Sequence, residues 1–212
     1  MHRLPQHCVV ELHKEITALR KLDLSNQQMY TQRLLAGRRP LITKSQMCFL
    51  SEGLFFAASR CLEKFLAETF LLYCTGKYSY GRKHVRSFLN PRSVRHATDL
   101  IQSAMPFLEW SSPDTVIGRA EVYLDSGFPV KQALTTHRDS LRDMKHLRNH
   151  IAHLSRESES EYRKVLRKHY GFIPLNIPCP GEFLLLPHTT VANQYNLLYY
   201  FRLVEKVSAA IA

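Results

Sequence analysis

Residues 148 to 153 read Arg-Asn-His-Ile-Ala-His, which puts a permanent cation five positions ahead of a titratable imidazole. An arginine guanidinium stays charged at any physiological pH, and its planar fork matches two phosphate oxygens. A histidine can give or take a proton near neutrality. Together they suit attack on a phosphodiester. The reaction such a pair can run without a metal is cleavage of RNA by its own 2′-hydroxyl, a group that DNA lacks. Three things are needed: help in removing the 2′-OH proton, a proton for the departing 5′-oxygen, and a fixed cation for the extra negative charge on phosphorus. His153 can serve the first two and Arg148 the third. The amide of Asn149 can orient the phosphate or the imidazole, although Asn is also common at helix ends. The blander reading makes Arg148 a surface residue or the partner of a core carboxylate, and His153 a cation favoured by the helix C-terminus.

Two neighbouring features bear on the same chemistry. His146, His150 and His153 stand at i, i+4 and i+7 on one helix face, a spacing that raises a metal site. No nearby carboxylate or cysteine completes the set in sequence, so the expectation is no metal and no cofactor. Glu63 falls among Phe56, Ser59, Leu66, Ala67 and Phe70 on its helix, and a carboxylate on so apolar a face wants a partner. It either orients Arg148 or His153, or pairs with Arg60 one turn earlier.

The segment 148–153 resembles the Arg-x4-His signature of the HEPN superfamily of all-α ribonucleases and nucleotide-binding proteins. The flanks add to the likeness: Leu141, Met144 and Leu147 lead in on an apolar helix, Ile151-Ala152 precedes His153, and a helix restarts soon after. Residues 54–66 resemble the family's other core helix, whose acidic residue Glu63 matches. Pro180-Gly181-Glu182-Phe183-Leu184 followed by a long terminal helix is similar to the RiboL-PSP branch. The resemblance implies a homodimer whose two motifs face each other across a cleft as a composite active site. It implies RNA cut without metal, in a toxin, abortive-infection or antiviral defence system, with an antitoxin or defence protein as a further partner. The competing class within the same resemblance is a HEPN-like subunit that binds RNA, a nucleotide or a protein and never cuts.

Length and composition set the frame. The 212 residues, 45% of them hydrophobic, suffice for one domain with a sizeable core. Lys and Arg number 29 against 18 Asp and Glu, a formal charge of +11, and the sequence pI is about 9.6, which favours an anionic partner such as RNA. From Thr69 through Thr98 no acidic residue occurs. Lys77, Arg82, Lys83 and Arg86 stand there among Tyr78, Tyr80 and Phe88, so phosphates can be neutralised while rings stack on unpaired bases. Lys145, just ahead of the motif, joins this RNA-binding set. The alternative is a solvated basic loop with its rings packed inward. Five scattered cysteines without a Cys-x2-Cys pair indicate neither a disulfide framework nor a zinc ribbon, and 8 glycines without a phosphate-cradling run argue against a P-loop. With no apolar leader and no membrane-length apolar run, a cytoplasmic protein with no membrane partner is expected.

The periodicity predicts an all-α bundle of about five to seven helices, with a proline-rich irregular segment before the last one. A single domain, 1–212, is expected, with 1–42 as a helical extension and 43–212 as the core. Helices are expected over 6–36, with a break at 23–26, over 43–75 up to Gly76, in 90–106 and in 110–127. A helix of roughly seven turns is expected over 130–154, carrying Leu134, Leu141, Met144, Leu147, Ile151 and Leu154. Ser158 to Glu161 has capping-box spacing for a helix to Tyr170. A hairpin is expected at 182–186, and a final helix at 191–212. On an ideal helix five positions turn ~500°, which leaves Arg148 and His153 about 140° apart. A helix end before Ser155, or an Arg148 from a second chain, would relieve that.

Overall fold

The chain is all-α. A computed structural model describes residues 3–35, 37–77, 79, 83–103, 105 and 107–212, the side chain of Arg33 apart. Among these described residues nine α-helices follow in order: α1 Pro5–Leu35, α2 Lys44–Cys74, α3 Val94–Gln102, α4 Pro113–Tyr123, α5 Val130–Thr136, α6 Arg138–His153, α7 Arg156–Tyr170, α8 Pro180–Leu185 and α9 Asn196–Ile211. Among the described residues there is no β-strand, only isolated bridges pairing Ser87 with Leu124 and Pro187 with Tyr195. No helix among them is long and apolar enough to cross a membrane.

The chain divides into two compact units. One takes residues up to Lys14, Arg60–Arg142 and Val204–Ala212; the other takes Glu15–Ser59 and Asp143–Leu203. The expected extension, 1–42, is therefore shared between both, and so is α2. In the first unit Phe65, Phe70, Tyr73, Ile101, Leu124 and Leu134 are fully buried. The Tyr73 hydroxyl donates to the Ile211 carbonyl at 2.5 Å, which ties α2 to the chain's last helix. Trp110, half-buried, lies 5.4 Å from Phe70, and the Arg119 guanidinium sits 4.5 Å from its ring. In the second unit Ile16, Met47, Phe55, Leu147, Tyr162 and Phe201 form the core. There Phe55 meets Tyr200 edge-on at 5.0 Å.

Five expectations change, four of them for a local reason. Helix α1 has no break at 23–26. Asp23 is only 2% exposed and accepts from the Tyr195 hydroxyl and, at 3.2 Å, from the Gln27 amide, so its polarity answers a tertiary partner and not a loop. The long helix over 130–154 is two helices, α5 and α6, divided at His137. The Thr136 hydroxyl bonds back to the Gln132 carbonyl at 3.0 Å, and the His137 amide closes a tighter turn on Leu134 at 3.2 Å. Helix α7 starts earlier than the Ser158 box. Its cap is Ser155, whose hydroxyl accepts from the Ser158 amide at 3.2 Å. No hairpin forms at 182–186. Pro180 opens the short helix α8, and Cys179 and Glu182 cap it reciprocally, sulfur to amide and carboxylate to amide, each at 3.4 Å. The last helix begins at Asn196 instead of 191.

Candidate functional site

The C-terminal half of α6 carries the motif, in the unit that also holds α7, α8 and the first part of α2. Leu141, Met144 and Leu147 are buried, which fixes the helix by one face. Arg148, Asn149 and His150 flank that face half-buried, and His153 is exposed. The apolar stripe ends sooner than expected, since Ile151 is half-buried and Leu154 is 74% exposed.

Arg148 is held from two sides. Its guanidinium carbon lies 5.3 Å from the centre of the Phe56 ring on α2, a cation–π placement, and its Nη1 donates to Asn149 Oδ1 at 3.2 Å. Asn149 thus accepts from the arginine, a partner the sequence reading, which offered the phosphate or the imidazole, did not name. His153 is the last residue of α6. Leu154, at φ 47°, turns the chain out of the helix while its amide still bonds the His150 carbonyl at 3.2 Å. The end foreseen before Ser155 does exist, but it comes after His153. Both motif side chains therefore leave an intact helix, and within one chain they keep the ~140° divergence that five helical positions impose.

The other two histidines are drawn to separate partners on α7. His150 stacks on Tyr162, ring centres 4.9 Å apart and planes 17° from parallel, with Nδ1 at 3.2 Å from the Ser158 hydroxyl. Ser158 gives its own hydrogen to the Ser155 carbonyl at 2.9 Å. That leaves Ser158 as acceptor, assigns the proton of His150 to Nδ1, and leaves Nε2 with its lone pair. Burial depresses the His150 pKa against the pull of Glu159 and Glu52. His146 Nδ1 lies 3.4 Å from Glu161, and burial again lowers its pKa more than Glu161 and Asp143 raise it. Among the described residues no three His, Cys, Asp or Glu side chains gather as a metal-binding group.

Sequence reasoning missed Phe56, Ser158 and Tyr162. The i, i+4 spacing of Ser158 and Tyr162 puts both on one face of α7 and was readable; the seat of Arg148 on Phe56 joins distant segments and had no sequence signal. Tyr162 is fully buried and donates to the Pro178 carbonyl at 3.0 Å, so the support under His150 reaches the proline-rich segment.

Glu63 is half-buried on the part of α2 that belongs to the first unit, where Arg60 is exposed. Lys77, Lys83 and Arg86 lie in that unit too; Lys77 is half-buried, and Lys83 and Arg86 are exposed. The Lys83 ammonium sits 5.8 Å from the Phe128 ring. Phe88 is 62% exposed while Val85 is buried, so an aliphatic residue anchors this loop and Phe88 does not pack inward. Tyr78, Tyr80 and Arg82 lie outside the described residues. Lys145 is half-buried on α6 in the second unit. No protein-family model, curated protein or solved structure matches the chain.

Proposed function

We propose that the chain is a HEPN-like, metal-independent endoribonuclease that cuts single-stranded or loop RNA by attack of the 2′-hydroxyl. His153 moves the protons, Arg148 neutralises the charge that grows on the phosphoryl oxygens, and Asn149 holds Arg148 in place. The products carry 2′,3′-cyclic phosphate and 5′-hydroxyl ends. What carries the reading is the end of α6, where a guanidinium restrained by Phe56 and Asn149 stands five positions before an exposed imidazole. A cation restrained before substrate arrives stabilises developing charge with little reorganisation, which is how such groups earn their effect. The net charge of +11 suits an RNA substrate. Because the two side chains diverge on the helix, the shared phosphate is served by Arg148 of one chain and His153 of a second, and the working form is a homodimer. A place in a toxin, abortive-infection or antiviral system, with an antitoxin as restraint, belongs to the same proposal.

The test compares purified wild type with Arg148→Ala and His153→Ala on total RNA in EDTA. Loss of the histidine should cost roughly 10²–10⁴-fold and loss of the arginine about 10²–10³-fold in rate. Wild-type cleavage that both variants retain would remove the assignment. The half-burial of Arg148 over Phe56 favours one alternative, a binding subunit that does not cut. RNA bound but left intact by the wild type would select it.

A further inference from the structure

Two of the five cysteines meet. Cys48, on the first turns of α2, and Cys179, at the start of α8, are 131 positions apart in sequence, yet their thiols lie within hydrogen-bonding reach of each other. The backbone around them is pressed together as well. Gly181 approaches so closely that a Cβ there would stand 2.6 Å from Cys48 Cβ. The Gly181 amide donates to Glu52 Oε1 at 2.7 Å, and Lys44 pairs with Glu182 at 2.7 Å, so bonds one turn before and one turn after Cys48 fix α8 against α2. The two sulfurs differ in access: Cys48 is 5% exposed, whereas Cys179 is exposed to solvent. The remaining cysteines, Cys8, Cys61 and Cys74, are buried or half-buried.

We propose that Cys179 and Cys48 are a peroxide-responsive thiol pair, with Cys179 meeting the oxidant and Cys48 resolving it as an intramolecular disulfide. The Cys179 thiolate attacks one oxygen of hydrogen peroxide, the O–O bond breaks, and Cys179 becomes a sulfenic acid while the departing hydroxide takes up the proton that the Cys179 thiol released and leaves as water. The Cys48 sulfur then attacks the Cys179 sulfur, the S–OH bond breaks, and the displaced hydroxide takes the Cys48 proton to form a second water. Two thiols lose two electrons together and one peroxide gains them. Burial, then the neighbouring Cys179, pushes the Cys48 thiol up to about 11, so Cys48 stays protonated at neutral pH and the exposed sulfur reacts first. The bond would pin the end of the proline-rich segment to α2, one residue beyond the Pro178 carbonyl that accepts from Tyr162. This pairing does not depend on RNA cleavage.

The whole chain is treated with hydrogen peroxide, alkylated, digested and analysed by mass. The expected product joins the peptides holding Cys48 and Cys179 with the loss of two hydrogens, reverts with a thiol reductant, and is absent from Cys179→Ser. In Cys48→Ala, Cys179 should advance to sulfinic acid, since nothing resolves it. Should that core variant fail to fold, the exposed Cys179→Ser still decides. Wild type in which Cys179 reaches sulfinic acid while Cys48 remains alkylable overturns the pair. So does a Cys179 bridge between two chains, or oxidation that reaches another cysteine first.

Discussion

A guanidinium laid over Phe56 and bonded to Asn149 has already given up part of its freedom, so an anion that reaches it need not order it again. Asp23 shows the opposite situation. It is buried, its Oδ1 finds no hydrogen-bond partner, and burial raises its pKa further than the hydrogen bonds from Tyr195 and Gln27 lower it. A carboxyl whose folded pKa is raised contributes stability that is present below its unfolded pKa, ~3.9, and is lost as pH climbs through the folded value. Asp23→Asn removes that titration while keeping an acceptor for Tyr195. The stability of the variant relative to wild type should therefore grow as the pH of urea denaturation is raised from acid to neutral. A difference that stays flat would mean Asp23 titrates normally. At this scale the sequence exposed chemistry more readily than seating. Arg148, Asn149 and His153 stand out as candidates by type and spacing alone. That Ser158 and Tyr162 claim His150 depends on α7 folding against α6, and six residues contain no trace of it.

Secondary-structure boundaries fail in the sequence where a tertiary or capping contact overrules a pattern. Leu134 and Leu141 are both buried seven positions apart, so the apolar repeat runs unbroken through the interruption at His137 and cannot register it. The polar residues of α1 at 23–26 look like a break because only the fold supplies Tyr195. By contrast, the stops at Gly76 and Gly171 were legible, since each adopts the left-handed conformation that favours glycine, φ 75° and 79°. Leu154 adopts the same conformation at φ 47° without being glycine, and its side chain is mostly in solvent, so it carries strain with little packing in return. Leu154→Gly should accordingly stabilise the chain by about 1 kcal/mol, less the entropy that a glycine adds to the unfolded state. A chemical-denaturation midpoint that rises at unchanged slope would register it. A fall would show that Leu154 is buried in a contact, for which a second copy of the chain is the natural source given its position next to His153.

For the whole molecule the question is whether one chain suffices. The all-α class was legible because apolar residues recur at helical spacing almost throughout. The division into two compact units was not, because α1 and α2 each contribute to both and no linker marks the boundary. Along α6 itself Arg148 and His153 do not converge, since the helix stays regular through His153. A composite site makes a quantitative demand that a site within one chain does not. Arg148→Ala and His153→Ala chains, each inactive alone, would form mixed dimers in which one of the two sites has lost both groups and the other retains both. With random pairing of equal amounts, half the dimers are mixed and each has one intact site of two, so about a quarter of wild-type RNA cleavage should return. Co-expressing the two variants, with cleavage measured in EDTA and mass confirmed by light scattering, provides the test. Mixed dimers that remain as inactive as their parents would place both groups at a site made by one chain, and the divergence along α6 would then have to be closed by motion of the helix end itself.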